Sequence, residues 1–308
     1  MKKTYQLNSE LTIVIPSTGG SSLISTLNSI NHSSMVPGSV IIALPPKVTL
    51  KYKELESLKF QLTIINAQKK GQVRQRFEGI KLAKSNYILQ MDDDIELKNN
   101  CIEKLFKGCI RFPKKVAISP KILERKTSLS FFEYNNLYFN EYNGLCYPNV
   151  ARKIFNLIIH GKTRFLPGEV TKLGTNIQAY NNSLRYIPVE WLHGMLIQHK
   201  DNYLDFEHLH FSGKAYAEDL IFSSYLQSRN IQLFVDNDAI IIANIDDGKP
   251  IRSIADIRFF LVEKYRAIRN TAYYCYISNR RYKTFILFSL IKILFFLFTK
   301  IISKVFKN

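Results

Sequence analysis

Acidic residues are in short supply. The 308-residue chain sets 25 Asp plus Glu against 43 Lys plus Arg, a net charge of +18. That excess points to an anionic partner: nucleic acid, an anionic membrane surface or a phosphorylated substrate. Cysteine is equally sparse. Cys101, Cys109, Cys146 and Cys275 form no C-x-x-C pair, which argues against a zinc or redox site and fits a reducing compartment. No apolar run of signal-peptide type follows Met1–Gln6, so export by that route is not expected. No uninterrupted apolar stretch reaches the roughly 20 residues that span a bilayer. Zinc-finger, basic-zipper and RNA-recognition signatures are missing too, so the charge is not assigned to nucleic acid. Gly19-Gly20 is a poor version of a glycine-rich phosphate loop. There is no internal repeat and no low-complexity linker.

What is present is a rhythm. With 46% hydrophobic and 22% charged residues, the chain is a folded one, large enough for one domain with or without an appendage. Leu11–Pro16 is a β-branched apolar run that reads as a buried parallel strand. A loop at Ser17–Gly20 and a helix over 21–30 follow. Strands are predicted at 40–44 and 62–65, a helix at 73–84, a strand at 87–91 and a helix at 99–112. Strand alternating with helix predicts a doubly wound α/β sheet, whose ligands sit at the carboxyl ends of the strands. Residues 121–185 carry no regular pattern. Order returns at 186–196, then a helix at 218–228, two short strands at 231–235 and 239–243, and a long helix over about 254–276.

Asp92-Asp93-Asp94 stands at the end of the fourth predicted strand. Adjacent carboxylates raise one another's pKa, and a divalent cation removes that penalty. Mg²⁺ or Mn²⁺ takes oxygen ligands and shares them with substrate phosphates. The same triplet also suits a solvated acidic turn before a helix. Ala217-Glu218-Asp219-Leu220 opens a later helix, where a carboxylate serves either as a general base or as a cap. Gly71-Gln72-Val73-Arg74-Gln75-Arg76, after Lys69-Lys70, opens another; basic side chains at a helix N-terminus suit phosphate or simply a solvated face. Trp191, the one tryptophan, lies near Gly194. It is either a platform for a sugar ring, with Gly194 allowing close backbone approach, or a core residue.

These pieces, in this order, resemble the inverting GT-A-type glycosyltransferases of family two, the bacterial polysaccharide enzymes. The similar segments are Thr12–Pro16, Gly71 through Gly79 to Ala83, Tyr87–Asp94, Gly194 and Glu218-Asp219, and the pattern covers residues 10–245. The resemblance implies a GT-A-like mixed sheet over 1–250. It implies transfer of a sugar with inversion, from a nucleotide diphosphate sugar, usually a uridine diphosphate sugar, to a glycan or lipid-linked acceptor. Asp92 and Asp93 then contact the nucleotide, and Asp94, with Asp92, holds Mn²⁺ or Mg²⁺. Asp219 is the base with Glu218 beside it, and Pro16, Ser17 and Thr18 line the nucleotide pocket. Arg74 and Arg76 reach the phosphates, and Trp191 and Gly194 face the sugar or acceptor. Two departures stand out. Ala43-Leu44-Pro45-Pro46-Lys47 replaces an acidic motif usual after the second strand. No His follows the last strands; either Asp246 or Asp247 substitutes there or nothing does. His193, His199, His208 and His210 stand alone and read as structural or solvated rather than as ligands.

Residues 251–308 read as a basic helical tail. From Arg252 onward 12 Lys or Arg face only Asp256 and Glu263, so the tail carries +10 of the +18. Thr284–Phe306 is strongly apolar but broken by Lys292, Lys300 and Lys304. That pattern predicts a helix lying in the plane of an anionic membrane, flanked by Arg280-Arg281-Tyr282-Lys283. The expected location is the cytoplasmic face of the inner membrane, peripheral or monotopic, beside lipid-linked acceptors. A metal-dependent nucleotidyltransferase, releasing pyrophosphate, is the rival enzyme. A basic membrane- or nucleic-acid-binding protein without catalysis is the rival of another kind.

Overall fold

The structure is a computed structural model that describes residues 6–50, 57–112, 114–125, 157–158, 161, 166, 168–174, 176, 184–203, 215–243 and 254–305. Its centre is a nine-stranded mixed sheet in the order β3-β2-β1-β4-β8-β6-β9-β5, with β7 also paired to β9. The strands are β1 (Gln6–Pro16), β2 (Met35–Leu44), β3 (Gln61–Asn66), β4 (Tyr87–Gln90), β5 (Glu96–Leu97), β6 (Val116–Glu124), β7 (Tyr186–Pro188), β8 (Leu196–His199) and β9 (Gln232–Ala243). The helices are α1 (Ser22–Asn31), α2 (Gln72–Leu82), α3 (Cys101–Arg111), α4 (Glu218–Ser228), α5 (Ile254–Ile277) and α6 (Tyr282–Val305). Strands β1 to β4 are parallel where they pair, and β8 runs against both β4 and β6. The expected α/β architecture with a mixed sheet is therefore the observed one.

Alternation along β1 explains the layering, because successive strand side chains face opposite ways. Ile13 and Ile15 join α1 and α3 in one buried cluster, through Leu23, Leu27, Leu105 and Phe106. Val14 joins Ile80 of α2 and Phe222 and Leu226 of α4 in a cluster on the other face. Gly79 is where α2 touches the sheet: a Cβ there would stand 2.6 Å from Val14 Cγ1. Both faces are thus covered, and the strand ends between the two helix layers are left as the opening.

Strand β6 is not evident in the sequence, because Pro120 interrupts its apolar run. A second difference lies in the strand beside it. The predicted pair of strands at 231–235 and 239–243 is one strand, β9, whose register against β6 jumps between Pro120 and Lys121. The extra residues belong to β9, where Asn237 donates its N–H to the Arg185 carbonyl at 2.8 Å and Asp238 donates its N–H to Asp236 Oδ1 at 3.0 Å. The ordered stretch predicted at 186–196 divides into β7, a loop, and the start of β8.

A third buried cluster joins Val170, Trp191, Leu220 and Ile221 to Tyr274 and Cys275 of α5, with Tyr282 and Phe285 of α6 packed on its edge. Helix α5 is consequently a wall of the body. Among the described residues no helix is long and apolar enough to cross a membrane.

Candidate active site

Three parallel strands end together, and a short polar lattice fixes their ends. Ser17 closes β1 and donates its hydroxyl to Asp93, while its Oγ accepts the Gly19 N–H at 2.9 Å. Gln75, 2% exposed, donates to the carbonyls of Ser17 at 2.9 Å and Ala43 at 2.7 Å. One side chain thereby ties α2 to the ends of β1 and β2. Thr26 of α1 donates to the carbonyls of Asp93 and Ile95, at 3.0 and 2.8 Å. The acidic turn after β4 is therefore held from both helix layers before any ligand arrives.

Helical spacing sorts the basic segment of α2. Residues 72, 75 and 76 share the face toward the opening, as i, i+3 and i+4 must. Gln72 and Arg76 both donate to Asp92 Oδ1, at 2.7 and 2.6 Å. Arg76 also donates to Glu218, the first residue of α4. The Arg76 side chain is 2% exposed, against 30% for Asp92 and 14% for Glu218. Its Nε finds no acceptor among the described residues.

The expected phosphate contacts from this segment change accordingly. Arg76 is committed to two carboxylates, so its charge is spent inside the protein. Arg74, two positions earlier and therefore turned away, pairs with Glu78 at 2.9 Å and with Gln68 at 2.9 Å. Trp191 needs a similar correction. At 8% exposed, packed among Val170, Leu220, Ile221, Tyr274 and Cys275, it supports α4 from beneath and offers no open ring face for a sugar.

Gly194 is the meeting point. A Cβ built on it would stand 3.2 Å from Asp92 Oδ2, 3.7 Å from an Arg76 guanidinium nitrogen and 3.7 Å from Asp219 Oδ1. Residues from α2, the β4 turn, the β8 approach and α4 thus converge within a few ångströms. The space at Gly194 helps them fit: a side chain there would press on Asp92 and touch Asp219. Gln90 fixes that backbone by donating to the Gly194 carbonyl at 2.9 Å, and Tyr203 donates to Gln90 at 3.0 Å. His193 beside it is structural. Its Nε2 lies 2.7 Å from the Pro120 carbonyl and its Nδ1 accepts the Met195 N–H at 3.3 Å. Burial lowers its pKa, so the ring is neutral with the proton on Nε2.

Asp219 carries the clearest electrostatic signature. Its carboxyl is pushed up to about 7, first by burial and then by the Asp92 carboxylate, with Arg76 pulling the other way. Helix α4 begins at Ala217 with a left-handed backbone, φ 56°, and without a side-chain cap, so Glu218 and Asp219 enter the helix facing the cluster. Ser223 locks this arrangement. It donates to the Asp219 carbonyl at 2.6 Å and accepts the Leu192 N–H at 2.9 Å.

Three carboxylates, Asp92, Glu218 and Asp219, gather at one guanidinium, while Asp93 is turned to Ser17. Asp94 lies exposed at the mouth, as does Thr18, while Pro16 and Ser17 are buried. Among the described residues no three His, Cys, Asp or Glu side chains converge to hold a metal by themselves. The donor chemistry nonetheless fits a hard cation of the Mg²⁺ type, which takes one or two carboxylates and completes its shell with water and phosphate oxygens. Asp246 and Asp247 lie outside the described residues.

Comparison with known proteins bears on the fold and on part of the sequence. The model for glycosyl transferase family 2 matches residues 48–163, which include the α2 segment and the acidic triplet but end before Gly194 and Asp219. No curated protein sequence matches the chain. Among solved structures, the crystal structure of GalNAc-T7 with UDP, GalNAc and Mn²⁺ superposes with a TM-score of 0.52 at 11% identity, over 78% of this chain and 45% of that one. S. aureus TarS 1–349 gives a TM-score of 0.49 at 14% identity, over 90% and 69%. The chain therefore spans less than half the length of the GalNAc-T7 structure, and the likeness is one of fold. The resemblance to family-two GT-A-type glycosyltransferases, drawn above from motifs, holds in sequence over 48–163 and in the fold.

Proposed function

We propose that this protein transfers a sugar, with inversion, from a nucleotide diphosphate sugar to a hydroxyl of a glycan or lipid-linked acceptor in cell-surface polysaccharide synthesis. The observation that carries the reading is the convergence of Asp92, Arg76 and Asp219 on the space left by Gly194. Glu218 and Asp219 have different parts. Glu218 is neutralised by Arg76 and serves to place the helix. Asp219 is the base: its carboxyl, raised to about 7, titrates near working pH, where a general base is most effective. It accepts the proton of the acceptor hydroxyl as that oxygen bonds to the anomeric carbon. The bond from that carbon to the diphosphate oxygen breaks, and the electron pair leaves with the nucleotide.

Asp94, with the outward oxygen of Asp92, would hold Mn²⁺ or Mg²⁺, which supplies charge neutralisation for the departing diphosphate. Ser17, fixed on Asp93, and Pro16 and Thr18 form the floor and rim expected for the nucleotide. A uridine nucleotide is the first to test, because the GalNAc-T7 fold relative was crystallised with UDP and Mn²⁺.

The experiment is a panel of nucleotide sugars incubated with the protein and Mn²⁺, scored for nucleoside diphosphate and for pyrophosphate. Release of nucleoside diphosphate that Asp219→Asn eliminates is the expected result. Release of pyrophosphate instead would identify a nucleotidyltransferase and overturn the proposal.

A further inference from the structure

Helix α6 is the most apolar of the helices, and none of its described side chains is buried. Leu287, Leu290, Ile291, Leu294 and Phe298 recur at the three- and four-residue spacing of one helix face, and all five are exposed, from 49% at Leu290 to 66% at Leu294. The neighbouring α5 repeats the pattern with Ile257, Leu261 and Tyr265, again exposed. Interleaved with these are the exposed cations Arg258, Lys264, Arg281 and Lys283. After Glu263 the chain contains no acidic residue at all. Isolated apolar side chains on a surface need no explanation, but a stripe along two packed helices does.

We infer that the outer face of α5 and α6 is a docking surface for an anionic lipid bilayer, on which the two helices lie in plane. Two occupants compete for such a face. A second copy would bring a segment of +10 against another of +10, and like charges in apposition oppose association. An anionic bilayer answers both features at once, taking the apolar stripe below the headgroups and the cations among them.

The surface is rigidly joined to the site. Asn270, 1% exposed, donates to the Tyr216 carbonyl at 3.0 Å, and Tyr216 donates to Glu263 at 2.7 Å, two residues before Glu218. At the elbow between the helices Arg280 donates to Glu190 at 3.0 Å and to the Thr171 carbonyl at 3.1 Å. A protein bound through this face therefore holds the α4 terminus in a set orientation to the bilayer. The inference concerns binding alone and is tested without any nucleotide sugar, so its failure would leave the catalytic proposal standing.

The test is co-sedimentation of the full chain with phosphatidylglycerol-containing vesicles and with pure phosphatidylcholine vesicles, beside the variant Leu287→Ser/Leu294→Ser/Phe298→Ser. These three side chains are exposed, so the variant is expected to melt with the native protein, and melting is measured alongside. Binding to the anionic vesicles at least ten-fold above the neutral ones, falling at least ten-fold in the variant, is expected. Equal binding to both lipids, or undiminished binding by the variant, overturns the inference. So does a light-scattering mass showing a native dimer that the variant dissociates, since the stripe would then belong to a second copy.

Discussion

Replacing Arg76 by Met is the sharpest test of how the site is built. The two side chains are similar in length, so packing against the sheet is largely kept and the loss is electrostatic. Arg76 is 2% exposed and bridges Asp92 and Glu218, themselves 30% and 14% exposed. Removing one partner from a buried ion pair costs about 3–5 kcal/mol, because the charge left behind is uncompensated. Water reaches Asp92 at the mouth, and Gln72 still donates to it. The uncompensated charge is therefore mainly that of Glu218, and the cost falls at the lower end, about 3 kcal/mol. At roughly 2 °C per kcal/mol for a chain of this size, Arg76→Met should melt about 6 °C below the native protein. Adding Glu218→Gln removes the stranded charge and should restore about half of that loss, a coupling that a double-mutant cycle reads directly. Both variants should be inactive, because Asp92 loses its fixed orientation in each. Calorimetry at pH 7.5 is the assay. A single variant melting within about 1 °C of native, or a double variant no better than the single, would refute the bridge as the organising contact.

Asp94→Ala should abolish Mn²⁺-dependent turnover while melting within about 1 °C of native, since the side chain is exposed and exposed substitutions rarely exceed about 0.5 kcal/mol. Retained turnover would remove Asp94 from the metal site. Asp219 gives a pH test in the protein free of donor and metal. Its folded-state pKa, about 7, lies above the ordinary 3.8, so the folded protein keeps a proton that the unfolded chain loses. Stability from this group is full below about pH 4 and is lost as pH rises to about 7, by up to about 4 kcal/mol. Asp219→Asn should therefore gain on the native protein across that window in thermal melts, and a flat difference would contradict the raised pKa. In turnover the sign reverses, because a base must be unprotonated: kcat/KM should fall as pH drops and Asp219 takes up a proton.

The elements that local chemistry dictates were legible in the sequence. Leu11–Pro16 and Tyr87–Met91 are apolar runs closed by polar loops, and three aspartates after such a run announce a place where charge gathers. Helix α4, from Glu218, stands where the apolar pattern puts it. Strand β6 was hidden because Pro120 looks like a terminator in one dimension, whereas in three it pairs with Asp236 inside the strand. The basic α2 segment was legible as a helix start, but the fate of its charges was not.

What the sequence by itself determined is the alternating α/β scaffold and the acidic turn, because periodicity and like-charge crowding act between near neighbours. Only the tertiary structure decided the electrostatics. It carried Glu218 across 142 positions to Arg76, set Asp92 and Asp219 on either side of Gly194, and sank Trp191 beneath α4. Burial and charge pairing depend on which groups the folded chain brings together, and no local pattern encodes a partner so far away.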